Sequence, residues 1–308
     1  HPRAYKGFVK TGIAMFDKGS ADFDEAVIGR AMLVLEQALL RNQELGADRA
    51  LNLVARDRFA RGLVMRGELD DAEHISYGTV ALANTLHGPD HQQTIRYMRH
   101  HAEILNDMGL KADALAMAKL AVGAAKAGLE EEHEQRILAQ FSLRKLGSEV
   151  DPTPTSLEQL KVEVAAVEKR FGPTHFYTLQ AMTSLAEQHL EMGAATEANR
   201  LNQLILERSK KDGVSHPQQE RIILGNLARS QLHLPGSRHL ANDAAERYLM
   251  RVQYRHEEIS SNPEQVARLN QSHEDIALAS KLMLDALWEK VMHEEGRVSS
   301  DNWMVSSA

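Results

Sequence analysis

The segment His87-Gly88-Pro89-Asp90-His91 returns along the chain as Phe171-Gly172-Pro173-Thr174-His175. Both segments belong to a series of glycines whose successive separations are 42, 40, 44 and 41 residues, at positions 46, 88, 128, 172 and 213. A second series runs half a period out of step, with separations of 42 and 84 residues, at positions 67, 109 and 193. Two interleaved series with one period predict a repeat protein in which each repeat contains two structural elements.

The residues between these glycines have the spacing of amphipathic helices. Leu179, Met182 and Leu190 fall on one helical face, and Leu201 and Ile205 share a face after the next glycine. Each glycine is expected to end a helix in the left-handed conformation, which glycine adopts without a Cβ clash. Alanines at matched positions predict close packing of paired helices: Ala60, Ala102 and Ala186 in first helices, and Ala72, Ala114 and Ala198 in second helices. The chain is therefore predicted to be all-α.

The period divides the chain into six helix pairs at about 3–45, 49–87, 91–128, 130–171, 174–212 and 216–259. In the fourth repeat, the acidic run 130–134 is expected to open the first helix, and Ser156 is expected to be the N-cap of the second helix. The predicted domains are a repeat array over 1–259, a capping helix over 260–295 that closes the stack, and a disordered tail over 296–308.

The composition narrows the possible partners. The chain has 308 residues, with 36 Lys and Arg against 43 Asp and Glu, so its formal charge is −7. This acidic balance argues against a nucleic-acid partner, and no apolar stretch is long enough to predict a membrane span. The absence of cysteine excludes disulfides and thiolate metal sites and fits a cytoplasmic location. Because the sequence starts at His1-Pro2 rather than Met, it is interpreted as an excerpt.

The two Gly-Pro segments and the residues after them resemble a known repeat family. Phe171–His175 with Leu185-Ala186, Gly193 and Glu197-Ala198 is similar to the 42-residue tetratricopeptide repeat of kinesin light chain. His87–His91 with Ala102 and Gly109 is a second match, and the resemblance covers about residues 1–258. It implies an α-solenoid of about six tetratricopeptide-like helix pairs with a C-terminal capping helix. It also implies a protein-interaction scaffold in which first helices line a concave groove for a peptide or partner protein.

The groove positions implied by this resemblance give the candidate binding residues. They are Arg58, Arg61, Arg96, Arg99, His100, Ser184, Asn226 and Arg229. The first four of these, Arg58, Arg61, Arg96 and Arg99, would form a basic stripe. Guanidinium groups bind carboxylates in two-point contacts, so a ligand with acidic residues is expected. The alternative is a solvated face whose arginines pair internally with Asp57, Glu103 and Asp107. Asn226 alone keeps the family's groove asparagine; Arg58, His100 and Ser184 replace it.

No motif for catalysis, a cofactor or a metal stands out. The phosphate-binding pattern Gly-x-x-x-x-Gly-Lys-Ser/Thr and the nucleophile pattern Gly-x-Ser-x-Gly do not occur, so neither an enzyme nor a cofactor is predicted. His91 and His175 are interpreted as turn-stabilising residues rather than metal ligands. Two other functions stay open: a sensor or regulatory segment of a larger signalling NTPase, and an enzyme built on a helical-repeat scaffold.

Overall fold

A computed structural model describes residues 2–22, 25–45, 49–211, 217–234, 240–241, 243–250, 277–278 and 281–282. These residues form helices and connecting turns, and none of them lies in a strand. The helices with defined bounds are α1 (Pro2–Asp22), α2 (Glu25–Leu45), α3 (Arg49–Arg66), α4 (Leu69–His87), α5 (Gln92–Asp107), α6 (Lys111–Gly128), α7 (Glu134–Val150), α8 (Pro154–Phe171), α9 (Phe176–Glu191), α10 (Ala195–Lys211) and α11 (Pro217–Leu232). The predicted all-α class is confirmed.

The chain divides into two compact units. The first contains residues up to 188 together with 208–216, so it holds α1 to α8 and parts of α9 and α10. The second contains residues 189–207 and those from 217 onward. In the second unit, Ile223, Leu224 and Tyr248 are buried, and the Tyr248 ring lies beside Gly225 of α11.

In the first unit, each helix packs on the next one along the chain, from α1 through α8. First helices of neighbouring repeats also meet, because α1 contacts α3 and α5 contacts α7. This stacking of helix pairs is the arrangement of an α-solenoid, as the sequence predicted. The bounds of α1–α2, α3–α4, α5–α6, α7–α8 and α9–α10 fall within a few residues of the predicted repeats.

The matched alanines are all buried, at 3% exposure or less: Ala60, Ala102, Ala186, Ala72, Ala114 and Ala198. Larger apolar side chains fill the spaces between them, such as Ile95 and Leu160, neither of which has any exposed surface. A methyl group at the matched positions lets two helix backbones approach while it still excludes water. The interpretation of these positions as core is therefore confirmed.

Most of the predicted helix-ending glycines have the expected conformation. Gly67, Gly88, Gly109, Gly172 and Gly193 have φ between 73° and 92°, and Gly46 and Gly213 lie outside the described residues. Gly128 is different: it is the last residue of α6, and the left-handed conformation predicted for it is wrong. A Cβ at Gly128 would lie 2.6 Å from the Cβ of Asp90. Close packing against the preceding inter-repeat turn, rather than backbone conformation, requires glycine there.

Three first helices begin with a histidine N-cap. The Nδ1 atoms of His91, His133 and His175 accept hydrogen bonds from the backbone N–H two residues later, at 3.1–3.2 Å. His91 stacks on His87 with 4.6 Å between ring centroids, and His175 stacks on Phe171 at 4.9 Å. The predicted turn-stabilising role of His91 and His175 is confirmed, and each imidazole supplies the acceptor that an N-terminal backbone N–H needs.

The fourth repeat corrects two expectations. α7 begins only at Glu134 with His133 as its cap, so residues 130–132 precede the helix instead of opening it. The N-cap of α8 is Thr153 rather than Ser156. Ser156 stands three positions later and completes a reciprocal pair: its hydroxyl accepts from the Thr153 N–H at 2.9 Å, and the Thr153 hydroxyl accepts from its N–H at 3.1 Å.

The predicted capping helix over 260–295 and the tail over 296–308 lie outside the described residues, except that 277–278 and 281–282 are helical. Within the described part of the chain, no helix is long and apolar enough to cross a membrane.

Candidate partner-binding surface

Asp57, a buried carboxylate on α3, organises the surface that the first helices present in the first unit. Its side chain is 4% exposed and accepts hydrogen bonds from Arg58 Nη1 at 2.6 Å and from the imidazole of His100 at 2.7 Å. Burial by itself would raise the pKa of Asp57, but the interactions with His100, Arg58 and Arg61 outweigh burial and hold that pKa far below its ordinary value. Asp57 is therefore an ionised group that links α3 to α5.

The hydrogen bonds continue from Asp57 in both directions. Toward α1, Arg58 Nε donates to Asp17 at 2.6 Å. Toward the next turn of α5, Arg99 donates to Glu103 at 2.8 Å, and its other Nη lies 3.1 Å from His100 Nε2. Because a guanidinium can only donate, Nε2 of His100 is the acceptor and Nδ1 carries the proton toward Asp57. Burial lowers the pKa of His100 despite the nearby carboxylate, which fits this neutral tautomer.

A second row of charges follows the repeat period along the same helices. Arg61, Glu103, Lys145 and Glu187 are each 42 residues apart, and their charges alternate in sign. We call these four side chains the charge ladder. Burial opposes each shift, yet Arg99, Lys145 and Arg61 lower the pKa of Glu103, and Glu149, Glu103 and Glu187 raise the pKa of Lys145. The two middle rungs of the ladder are thus each stabilised in their charged form by the rungs on either side.

The structure brings Arg58, Arg61, Arg99 and His100 together on α3 and α5. Arg58 and Arg99 are engaged with carboxylates, and the internal pairs with Asp57 and Glu103, the alternative drawn from the sequence, are present. Arg61 is exposed, and of these three arginines it is the one that forms no ion pair with a described side chain.

Arg96 lies in a separate polar groove of about 290 Å³. The groove is lined by Gln92, Gln93, Arg96, His133, Glu134, Gln135 and Arg170, so it lies against the first turns of α5 and α7. The Arg96 guanidinium packs over the Tyr97 ring, 5.0 Å from its centroid, and donates to its hydroxyl at 3.1 Å. Its buried Nε has no hydrogen-bond partner among the described residues. Two guanidinium groups and two helix N-termini make this groove locally positive despite Glu134.

The remaining candidates differ in exposure. Ser184 is buried, and its hydroxyl donates to the Gln180 carbonyl of its own helix at 3.3 Å. Asn226 is buried in the second unit, where Arg229 forms an ion pair with Glu191 at 3.1 Å. Arg229 also stands 42 residues after Glu187 and continues the alternation of the ladder in sequence.

The sequence analysis named Asp57 and Glu103 as internal partners but missed Asp17 and the ladder. Asp17 pairs with the candidate Arg58, and Lys145 and Glu187 interact with one another and, in the case of Lys145, with Glu103. The signal that could have found the ladder was present, because a charge at every 42nd residue from 61 onward alternates in sign. Among the described residues, no group of three or more His, Asp or Glu side chains is arranged to hold a metal ion.

Helix pairs that stack with a period of about 42 residues define the class of the protein as a tetratricopeptide-like repeat protein. No family model matches the chain, and no curated protein matches it in sequence. Its fold is similar to the nearly identical TPR-like repeats of a protein from Podosopora anserina assigned as a kinesin light chain. Two crystal structures of those repeats are 18% and 19% identical to the chain, with TM-scores of 0.51 and 0.49; each match covers 70% of this chain and 99% of the other.

A second similar structure is BtubC (BKLC) from P. vanneervenii, which is 10% identical over 96% of this chain and 94% of its own, with a TM-score of 0.46. The match to the Podosopora anserina repeats at a TM-score of 0.51 shows that the chain has a TPR-like fold. The resemblance drawn from the Gly-Pro segments is confirmed at the level of the fold.

Proposed function

We propose that this chain is a protein-interaction scaffold that binds a peptide segment with acidic residues on the first helices of its first compact unit. The observation that carries the proposal is the groove at Arg96 and Arg170. Guanidinium groups and helix N-termini both favour carboxylates, and the unpartnered Nε of Arg96 is a buried donor that such a ligand would satisfy.

Arg61 supplies the second expected contact. Its guanidinium is exposed, and its charge helps to lower the pKa of Asp57 and of Glu103 although it forms no ion pair with a described side chain. A carboxylate from a partner could pair with it without breaking an internal hydrogen bond. Arg58, Arg99 and His100 have a different role in this proposal: their hydrogen bonds with Asp17, Asp57 and Glu103 fix α1, α3 and α5 to one another and so position the surface. Contacts at Ser184, Asn226 and Arg229 stay predictions.

The test is a displayed library of acidic peptides, followed by affinity measurement of the selected sequences. Fluorescence anisotropy of a selected peptide should give a Kd that rises about tenfold in Arg61→Gln and in Arg96→Gln, as for a contact worth about 1.4 kcal/mol. The Kd should also rise with salt, because the contacts are partly exposed charges.

Arg200→Gln is the matched control, since Arg200 is an exposed arginine on a second helix that pairs with Glu197. It should leave the affinity unchanged. A library that yields no acidic peptide, or selected peptides that bind both glutamine variants as tightly as the parent chain, would rule out this surface.

A further inference from the structure

A second groove of about 500 Å³ lies on the other side of α5, between α4 and α6. α4 contributes Asp70, Glu73 and Tyr77, which share one helical face, and α6 contributes the corresponding face around Met117 and Leu120. The C-terminal part of α5 lies beneath both and adds Leu105 and Met108. The groove shares only α5 with the Arg96 groove, where it uses the C-terminal rather than the N-terminal part of that helix, and none of the candidate residues on the first helices is among its lining residues that the structure describes.

Its surface combines exposed apolar side chains with acidic ones. Tyr77 is 62% exposed and Leu120 is 61% exposed, which is unusual for two large apolar groups beside one groove. Three carboxylates line it, those of Asp70, Glu73 and Asp113, and no lysine or arginine of the described residues does. Methionine side chains, present here at 108 and 117, adapt to differently shaped apolar partners.

His101 is the unexpected residue in this groove. It is only 2% exposed, and its Nδ1 has no hydrogen-bond partner among the described residues. The negative charge of the Glu73 carboxylate, 3.8 Å from Nε2, favours the tautomer with its proton on Nε2, which leaves Nδ1 as the acceptor atom. Burial lowers the pKa of His101, which keeps the imidazole neutral and the acceptor available. A buried unpaired acceptor is costly, and a ligand donor would remove that cost.

Comparison of the repeats with one another shows that the histidine is specific to this groove. The positions 42 residues apart from His101 hold Phe59, Leu143, Leu185 and Leu227. All four are apolar, and Leu185 and Leu227 are buried core residues. The fold therefore needs only an apolar side chain at this position, so packing does not account for histidine in the third repeat.

We propose that the α4–α6 groove binds a segment of a partner protein in which a large apolar side chain stands beside lysine or arginine residues. The apolar side chain packs against Leu105, Met117 and Leu120, and the basic residues pair with the carboxylates of Asp70, Glu73 and Asp113. A donor of the segment, from its backbone or from a lysine, reaches His101 Nδ1. An amphipathic helix fits this description, because apolar and basic residues at helical spacing lie side by side.

The probe is a labelled synthetic helix of about 14 residues built from Leu, Ala and Lys, with leucines on one face and lysines flanking them. Its counterpart has Glu in place of every Lys. Fluorescence anisotropy should show binding of the lysine peptide and about tenfold weaker binding in Glu73→Gln, Leu120→Ala and His101→Leu. His101→Leu carries the residue that two other repeats bury at this position, so the variant keeps the fold.

Two matched variants separate the groove from general attraction to an acidic protein. Asp71→Asn removes an exposed carboxylate next to Asp70 that does not line the groove, and Val162→Ala trims an apolar side chain that is 67% exposed on α8. Both should bind the lysine peptide as the parent chain does, and so should Arg61→Gln and Arg96→Gln. Three results would each overturn the proposal. They are an equal loss of affinity in the groove variants and the matched variants, equal affinity for the glutamate and lysine peptides, and an unchanged affinity in His101→Leu.

Discussion

Two glycines of α6 illustrate how differently the same residue can serve one helix. Gly128 packs against the Asp90 backbone and side chain, whereas Gly123 has no atom within 4 Å of the place where a Cβ would stand. Gly128→Ala is expected to destabilise the chain by about 1–3 kcal/mol, because the inter-repeat turn at Asp90 must shift to admit a methyl group. Urea unfolding followed by circular dichroism measures the change.

Gly123→Ala is the matched control for that measurement. In an exposed helix interior, glycine is less favourable than alanine by up to about 1 kcal/mol. The free energy of unfolding of this variant should therefore rise by a comparable amount. If both substitutions change the free energy of unfolding in the same direction, the packing role assigned to Gly128 is wrong.

At the scale of the helix, the start of α5 depends on the protonation of its histidine cap. Nδ1 of His91 must be unprotonated to accept the backbone N–H of Gln93. Burial, together with nearby His87, lowers the pKa of His91, and burial also lowers the pKa of His100 and of His101. As the pH falls, the unfolded chain therefore takes up protons at these histidines before the folded chain does. Their contribution to the free energy of unfolding is complete above about pH 6.5 and is lost as the pH falls below that value.

His91→Asn isolates one cap from this pH dependence, because asparagine accepts the same hydrogen bond and does not titrate. The free energy of unfolding should fall less between pH 7.5 and pH 5.5 in His91→Asn than in the parent chain. At pH 7.5, His91→Ala should cost about 1 kcal/mol while His91→Asn stays close to the parent. Identical pH profiles for the parent and His91→Asn would refute the titrating cap.

Helix positions followed from the sequence because glycine and apolar spacing are local signals. The exact starts of α7 and α8 did not follow from the sequence. The residues that cap them, His133 and Thr153, have acidic and serine residues nearby that are of similar capping ability. Gly128 falls in the series of helix-ending glycines, but glycine is required there by a tertiary contact with Asp90, which no local pattern reveals.

On the scale of the stacked repeats, the sequence predicted which first-helix residues face together and offered Asp57 and Glu103 as internal partners. It did not predict the pairs that join neighbouring first helices. Arg58 and Arg99 were expected on one surface and lie there, yet their carboxylate partners come from both the same and neighbouring helices. Which side chains oppose each other depends on the offset between successive first helices. That offset is set by packing of the helix pairs and is not a property of any single repeat.

Lys145 is the rung of the charge ladder with the most acidic surroundings. It forms an ion pair with Glu149 at 3.4 Å and is attracted by Glu103 and Glu187. Lys145→Glu should destabilise the chain by roughly 1–2 kcal/mol, because a partly buried cation is replaced by a fourth anion. Lys119→Glu, at an exposed lysine of α6, should change stability by less than about 0.5 kcal/mol.

Urea unfolding at low salt and at about 0.5 M NaCl provides the measurement. The cost of Lys145→Glu should shrink at the higher salt concentration, since screening weakens repulsion between partly exposed charges. A cost equal to that of Lys119→Glu at low salt would mean that the ladder does not contribute to stability.

The alternating ladder also restricts how such an array can change its length during evolution. Deletion of one repeat of 42 residues between Arg61 and Lys145 would place two cations side by side. Deletion of two would set Arg61 beside Glu187 and keep unlike charges adjacent. Recombination that adds or removes repeats in even numbers preserves the attraction, whereas odd steps create a repulsive junction, so descendants of this array should differ from it by pairs of repeats.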